Sequence, residues 1–291
     1  MNGTVVLDGR ACSRQVRSEL SEQVARLRGR GVVPSLRILL VGDFAPSQVY
    51  VRNKEKAGMQ LGIDVAVERM PGTVAPADVE RVVDAWNRDP GVHGAIIQLP
   101  LPEQLDRHRL LGMLAPCKDV DGLTPASLGA LVSGRPGFTP ATPTGIIELL
   151  VRNGITLSAR RVVIVGRGEL VGKPLANMLL LRGERGDATV TVCHTQTREL
   201  AEVCRSAEIL VVAAGKARLV TGDMVSPGVV VVDAGTNSVG GRLVGDVDFD
   251  SVAPKASAIT PVPGGVGPMT VAMLLSNVVK AARTAAAASG S

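Results

Sequence analysis

Tyr50 and Lys54 stand four residues apart in SQVYVRNKEKAGM, a stretch whose spacing predicts a helix over Ser47–Met59 with both side chains on one face. Tyr50 is the only tyrosine in the chain. A lysine held beside a phenol in a partly dry pocket has its pKa lowered, and so can move protons near neutrality. A solvated helical face would give the same pair. Gln98 adds a second group. It closes the apolar run GAIIQ directly before Leu99-Pro100-Leu101-Pro102. Open α/β sheets bind ligands at the carboxyl ends of their strands, so an amide fixed there by neighbouring prolines suits substrate orientation. Next comes CKDVDGL, with Asp119 and Asp121 two apart and closed by Gly122. One of these carboxylates could hold the ring amine and amide of a heterocycle, and an ordinary Asx turn is the alternative.

A different chemistry is written further along. The run RRVVIVG reads as a buried strand and enters GRGELVGKP, where Gly166, Gly168 and Gly172 give G-x-G-x-x-x-G. Glycines allow a tight turn and a close approach of backbone to a pyrophosphate, and the helix that follows aims its N–H groups at the anion. Strand, turn and helix in this order point to a dinucleotide cofactor. An NAD site ends its second strand with an acid for the ribose 2′-OH. Here ATVTVC runs into His194-Thr195-Gln196-Thr197-Arg198, and Arg167 sits within the glycine turn. A cation and hydroxyls in place of the acid favour NADP.

These residues need elements to hold them. The chain has 291 residues, enough for about two domains. Apolar and strand-like runs alternate with helical ones in both halves. LRILLVG, IDVAVERM and VHGAIIQ read as strands with helices between, a βαβαβ order that predicts a mostly parallel sheet covered on both faces. The Pro- and Gly-rich stretch 133–145 is the candidate linker, and the alternation then restarts. PVPGGVGP, residues 261–268, is too rich in Gly and Pro for regular structure, and MTVAMLLSNVVKAART reads as a last helix. The tail TAAAASGS reads as a fraying end.

Composition excludes several classes. Apolar residues make up 45% and aromatics 2%, so the core is aliphatic and a stacking surface for nucleic acid has too few rings. The net charge of +5 is spread without basic runs, which suits a small anionic ligand. Four scattered cysteines and three histidines form no metal-ligand spacing. No metal, membrane or nucleic-acid partner is expected, and no basic region followed by an apolar stretch opens the chain. Reduced thiols in a cytoplasmic protein are the expectation.

Eight segments in order, SQVYVRNKEKAG, GAIIQLPLP, KDVDGL, TPTG, GRGELVGKP, CHTQT, VGDVDF and ITPVPGGVGPMT, resemble the bifunctional methylenetetrahydrofolate dehydrogenase/cyclohydrolase (FolD) family. The likeness runs from about residue 40 to about residue 275. It implies an α/β protein of two domains facing a cleft: residues 1–139 plus 270–291 as a folate-binding catalytic domain, and 140–269 as a Rossmann-like NADP domain. It further implies NADP-dependent oxidation of 5,10-methylenetetrahydrofolate, hydrolysis of the product to 10-formyltetrahydrofolate, and a homodimer. By motif, Lys54 resembles the residue central to the hydrolytic step and Tyr50 its pocket neighbour. Gln98 resembles the amide that tunes Lys54, with Leu99 beside it, and Asp121 the carboxylate that holds the pterin. Pro263, Gly264 and Gly265 resemble the wall of the folate site. Gly166, Arg167, Gly168, Gly172, Thr195, Gly235 and Thr236 resemble the cofactor contacts. Three positions depart from the pattern: Gly168 replaces a common Ser, Ala141 a common Cys, and Thr236 a common Ile. A dehydrogenase without the hydrolase would share the fold and is separated by an assay of methenyl loss without NADP; a non-catalytic NADP sensor would share it too but has no use for a proton-transfer lysine.

Overall fold

In a computed structural model, which describes residues 3–289, the chain forms two compact α/β units: residues 1–14 with 142–270, and residues 15–141 with 271–291. In chain order the first elements are β1 (Val5–Val6), α1 (Gly9–Gly29), β2 (Ser35–Val41), α2 (Ala45–Gln60), β3 (Asp64–Met70), α3 (Pro76–Arg88) and β4 (Gly94–Ile97). Two short helices follow, α4 (Arg107–Met113) and α5 (Pro125–Val132). β2, β3 and β4 make a three-stranded parallel sheet in the order β3-β2-β4. This is the βαβαβ arrangement expected from the sequence. Every residue of β4 is buried although it lies at the edge of the sheet, as suits a parallel strand covered on both faces and bridged at Ala95 by the segment at Asp119. Its core includes Leu39, Val41, Val79, Val83, Trp86 and Ile97.

The remaining elements are α6 (Ala141–Arg152), β5 (Arg161–Val165), α7 (Gly172–Leu180), β6 (Thr189–Cys193), α8 (Leu200–Arg205), β7 (Ile209–Val212), β8 (Val230–Asp233), β9 (Asn237–Val239), β10 (Arg242–Val244), α9 (Phe249–Val252), β11 (Ala258–Ile259) and α10 (Val266–Ser289). Six strands form a parallel sheet in the order β1-β11-β8-β7-β5-β6. β9 and β10 form a separate antiparallel hairpin. Connections from β5 run first to β6 on one side and then to β7 on the other. The switch point, where a doubly wound sheet opens a crevice, therefore lies between β5 and β7 at their carboxyl ends.

The fold corrects four expectations. Residues 1–14 group with the six-stranded unit rather than with the first domain, because β1 adds to the edge of β11: Val5 pairs with Ala258 and Val6 with Ile259. Two residues carry too little periodicity to be read as a strand. The stretch 133–145 is a linker only to Pro140, since α6 starts at Ala141 and prolines are tolerated in a first helical turn. Likewise α10 starts at Val266, so Gly267 and Pro268 are helical rather than loop. The tail is helical through Ser289, the alanines outweighing their low complexity; Gly290 and Ser291 lie outside the described residues.

Candidate active site

Helix α2 buries Ser47, Val51, Lys54, Ala57 and Gly58, a stripe at helical spacing. Lys54 thus takes a position where the pattern asks for an apolar residue, and it is only 7% exposed. Gly58 is part of the reason the helix can seat so deeply: a Cβ there would lie 2.6 Å from Val65 Cγ2 of β3. A buried amine is costly unless it is paired. Lys54 Nζ donates to Gln98 Oε1 at 3.0 Å.

Gln98 follows the last residue of β4. Its backbone N–H donates to the Leu39 carbonyl of β2, and its side-chain Nε2 donates to the Leu99 carbonyl at 2.8 Å. Ser47 Oγ donates to that same carbonyl from α2. The amide is therefore held from both ends, with its oxygen aimed at the lysine. Ser47 had no role in the sequence reading; its signal was a polar residue on the buried stripe.

Asp119 and Asp121 separate cleanly. Asp119 is 1% exposed and accepts from the backbone N–H groups of Leu123 and Thr124. It shapes the turn. The segment bridges Ala95 of β4 in parallel at Asp119, so Asp121, two residues on, is carried toward the Gln98 end of that strand. Gly94 makes room for the approach, because a Cβ there would meet Val120 Cγ1 at 2.6 Å. Asp121 couples to Lys54. Burial holds the Lys54 amine below the usual lysine range, and the Asp121 carboxylate opposes that shift. Burial pushes the Asp121 carboxyl up while the Lys54 ammonium pulls it down and Asp119 adds to the rise. Lys54, Gln98 and Asp121 are thus brought together, with Tyr50 one turn earlier on α2 and part-buried. Such a set can hold a polar ring and pass a proton at a buried amine.

The second unit holds the other candidates. Gly166 leaves β5 with φ of 122°, in the range that favours glycine, and a Cβ there would lie 2.1 Å from the Ala213 carbonyl oxygen. Gly172 opens α7 where a Cβ would lie 2.0 Å from the Gly166 oxygen. These are the tight turn and the close helix packing of a dinucleotide cradle. Gly168 lies in open space, so a side chain would fit there. β5 and β6 are adjacent and register Val165 with Cys193, so Arg167 and Thr195 emerge from neighbouring strand ends, both exposed. His194 and Thr197 close the β6 turn on each other. Gly235 is buried and Thr236 exposed. This geometry fits a phosphorylated dinucleotide: a glycine turn and helix start for the pyrophosphate, and a cation with hydroxyls beside it. Pro263, Gly264 and Gly265 lie in this unit too, so they do not share a unit with Lys54. Gly265 is fixed by Gly9, whose Cβ would meet the Gly265 oxygen at 1.7 Å.

No helix among the described residues is long and apolar enough to cross a membrane, and no group of three metal-ligating side chains occurs among them. Comparison with known proteins adds two family matches. Residues 7–121 match the tetrahydrofolate dehydrogenase/cyclohydrolase catalytic domain, and residues 140–286 match the NAD(P)-binding domain of the same family. The chain is 50% identical over 279 residues to the "Bifunctional protein FolD" of Moorella thermoacetica, covering 96% of this chain and 98% of that protein. It superposes with a TM-score of 0.93 and 43% identity on the FolD methylenetetrahydrofolate dehydrogenase/cyclohydrolase from Campylobacter jejuni, covering 97% of this chain and 99% of the other. A third likeness, TM-score 0.92 and 39% identity over 98% and 99% of the two chains, is to the Trypanosoma brucei enzyme complexed with NADP and an inhibitor.

Proposed function

The chain belongs to the tetrahydrofolate dehydrogenase/cyclohydrolase family, and from that premise we propose that it oxidises 5,10-methylenetetrahydrofolate to the methenyl form with NADP and hydrolyses the product to 10-formyltetrahydrofolate. The observation that carries this reading is the buried Lys54 amine, hydrogen-bonded to Gln98 and facing the Asp121 carboxylate.

The chemistry NADP supplies when bound is acceptance of a hydride from the methylene carbon. The residues that would hold it are Gly166, Arg167, Gly168 and Gly172 at the β5 turn, Thr195 after β6, and Gly235 and Thr236 after β8. Arg167 would meet the 2′-phosphate, and the protein's part in the oxidation is to fix the reacting carbon in place. Asp121 accepts from the ring amine and amide of the pterin. Gln98 directs Lys54 at the one-carbon centre, and Tyr50 and Leu99 shape the pocket.

Hydrolysis asks more of the side chains. Water attacking the methenyl carbon must lose a proton, and a ring nitrogen must gain one as its bond to that carbon breaks. Neutral Lys54 takes the first proton and its ammonium returns one to the departing nitrogen. Burial lowers the amine's pKa, so the neutral form that accepts the proton is easier to reach than for a solvated lysine.

We further propose that two copies pair through their cofactor-binding units and that the protein works in the cytoplasm on a small-molecule substrate. The test is spectroscopic. Purified protein with methylenetetrahydrofolate should produce reduced dinucleotide with NADP well above NAD, and it should clear methenyltetrahydrofolate when no dinucleotide is present. Absence of the second activity removes the hydrolase. Sedimentation at micromolar protein should give twice the chain mass, and a monomer there rejects the pairing.

A further inference from the structure

The segment VGDVDF carries no role in the reading above, yet it places the Asp246 carboxylate under the cofactor turns. Asp246 is fully buried. Its Oδ2 accepts from the backbone N–H groups of Ala214 at 2.6 Å and Gly215 at 2.8 Å, just after β7. Its Oδ1 accepts from Asn237 Nδ2 at 2.8 Å, at the start of β9. Both oxygens therefore hold chain leaving the carboxyl edge of the sheet. Asp233, the last residue of β8, supports it from below. Asp233 Oδ1 accepts from the Asp246 and Gly235 N–H groups, and Oδ2 from that of Val247.

Glycines make the arrangement possible. A Cβ on Gly235 would lie 2.4 Å from Asp246 Cγ, and one on Gly245 would lie 1.8 Å from Asp233 Oδ2. The link to the cradle runs through Ala213, one residue before the first N–H that Asp246 holds. Its carbonyl is the atom against which the Gly166 turn rests, and its N–H donates to the Val165 carbonyl. Three turns at the switch point, after β5, β7 and β8, are thus tied to one carboxylate.

We propose that Asp246 is a positioning residue for the dinucleotide: it touches no cofactor atom itself but holds the turns after β7 and β8 in the shape on which the Gly166 turn depends. This rests on reading the unit as an NADP site. A neutral amide would keep the size of the side chain but offers one acceptor oxygen in place of two, so either the Ala214 and Gly215 N–H groups or Asn237 Nδ2 would face an N–H instead, and buried donors left without partners do not hold a turn.

The test is Asp246→Asn, with NADP binding measured by titration calorimetry beside steady-state kinetics. The expected result is a Kd and a KM for NADP raised at least tenfold, with kcat at saturating NADP reduced less than threefold. Equal loss in kcat would mark a merely structural residue and overturn the proposal, as would an unchanged Kd. Should that variant not fold, Asn237→Ala decides. It removes only the donor to Oδ1 and should raise the Kd twofold to fivefold, whereas an unchanged Kd overturns the proposal. A wild-type protein that binds no NADP would instead overturn the reading of the unit, a result distinct from wild-type binding that the variants leave untouched.

Discussion

Lys54 Nζ donates to Gln98 Oε1 across 3.0 Å, joining the buried stripe of α2 to the carboxyl end of β4. An amine in a dry stripe and an amide at a strand end are unremarkable separately. Together they place a titrating group where an α/β sheet presents its ligand.

Replacing Lys54 with Met separates activity from stability. Ring opening should fall by a factor of about 10²–10⁴, the usual worth of a positioned acid or base, while NADP-dependent oxidation stays measurable. The folded pKa of Lys54 is depressed. Its stability contribution is therefore present above the unfolded lysine pKa and lost as pH falls through the folded value. At neutral pH the wild type bears that cost, but an apolar chain there leaves Gln98 Oε1 without its donor and the buried Asp121 carboxylate without its counter-charge, losses that offset the relief. The melting temperature of Lys54→Met should therefore stay within about 4 °C of the wild type, corresponding to ~1 kcal/mol. A variant that still hydrolyses methenyltetrahydrofolate at the wild-type rate contradicts the assignment.

Asp121→Asn acts on the same amine from the other side. The carboxylate raises the Lys54 pKa against burial, so its removal lets burial act unopposed. The limb of the ring-opening kcat–pH profile that reports Lys54 should move to lower pH. Folate binding should weaken by more than tenfold, or about 1.4 kcal/mol. A limb moving upward would mean that Lys54 does not face this carboxylate.

The sequence made some of this site visible and concealed the rest for physical reasons. Tyr50, Lys54 and Gln98 were legible because helix periodicity and strand ends are local properties. Asp119 and Asp121 were not separable, because two carboxylates two residues apart look alike until the parallel bridge to Ala95 decides which one the turn consumes. The glycine turn at Gly166 was legible as a strand–turn–helix pattern. Its dependence on Asp246, 80 positions away by residue number, was not, since the contact forms only when β5, β7 and β8 lie side by side. β1 escaped notice for a similar reason: its two residues are a strand only because β11 offers them an edge.

Lys118 should matter to stability and not to chemistry. It is 8% exposed, and its ammonium donates to the Trp86 and Asp89 carbonyls at the end of α3, where a cation opposes the helix dipole. Lys118→Met should cost about 1–3 kcal/mol by leaving those carbonyls without their donor. Burial and the Lys118 charge both hold the His93 imidazole below its usual pKa. In the variant the His93 pKa should therefore rise, as followed by proton NMR. A histidine that does not move places the lysine elsewhere.

We propose that cofactor choice is decided at the β5 and β6 turns. Arg167 is exposed within the glycine turn, and the chain after Cys193 offers His194, Thr195 and Gln196 where an NAD site would place an acid. A guanidinium gives a phosphate two N–H groups and a charge, interactions that a 2′-hydroxyl cannot return. Arg167→Ala should raise the KM for NADP by about tenfold or more, equivalent to ~1.4 kcal/mol, and leave that for NAD within about twofold. Because phosphate contacts of exposed groups are screened by salt, the gap between the two cofactors in the wild type should narrow as ionic strength rises, and in the variant it should hardly respond. Equal effects on both dinucleotides would remove Arg167 from the selection of cofactor and return the discrimination to Thr195 and its neighbours.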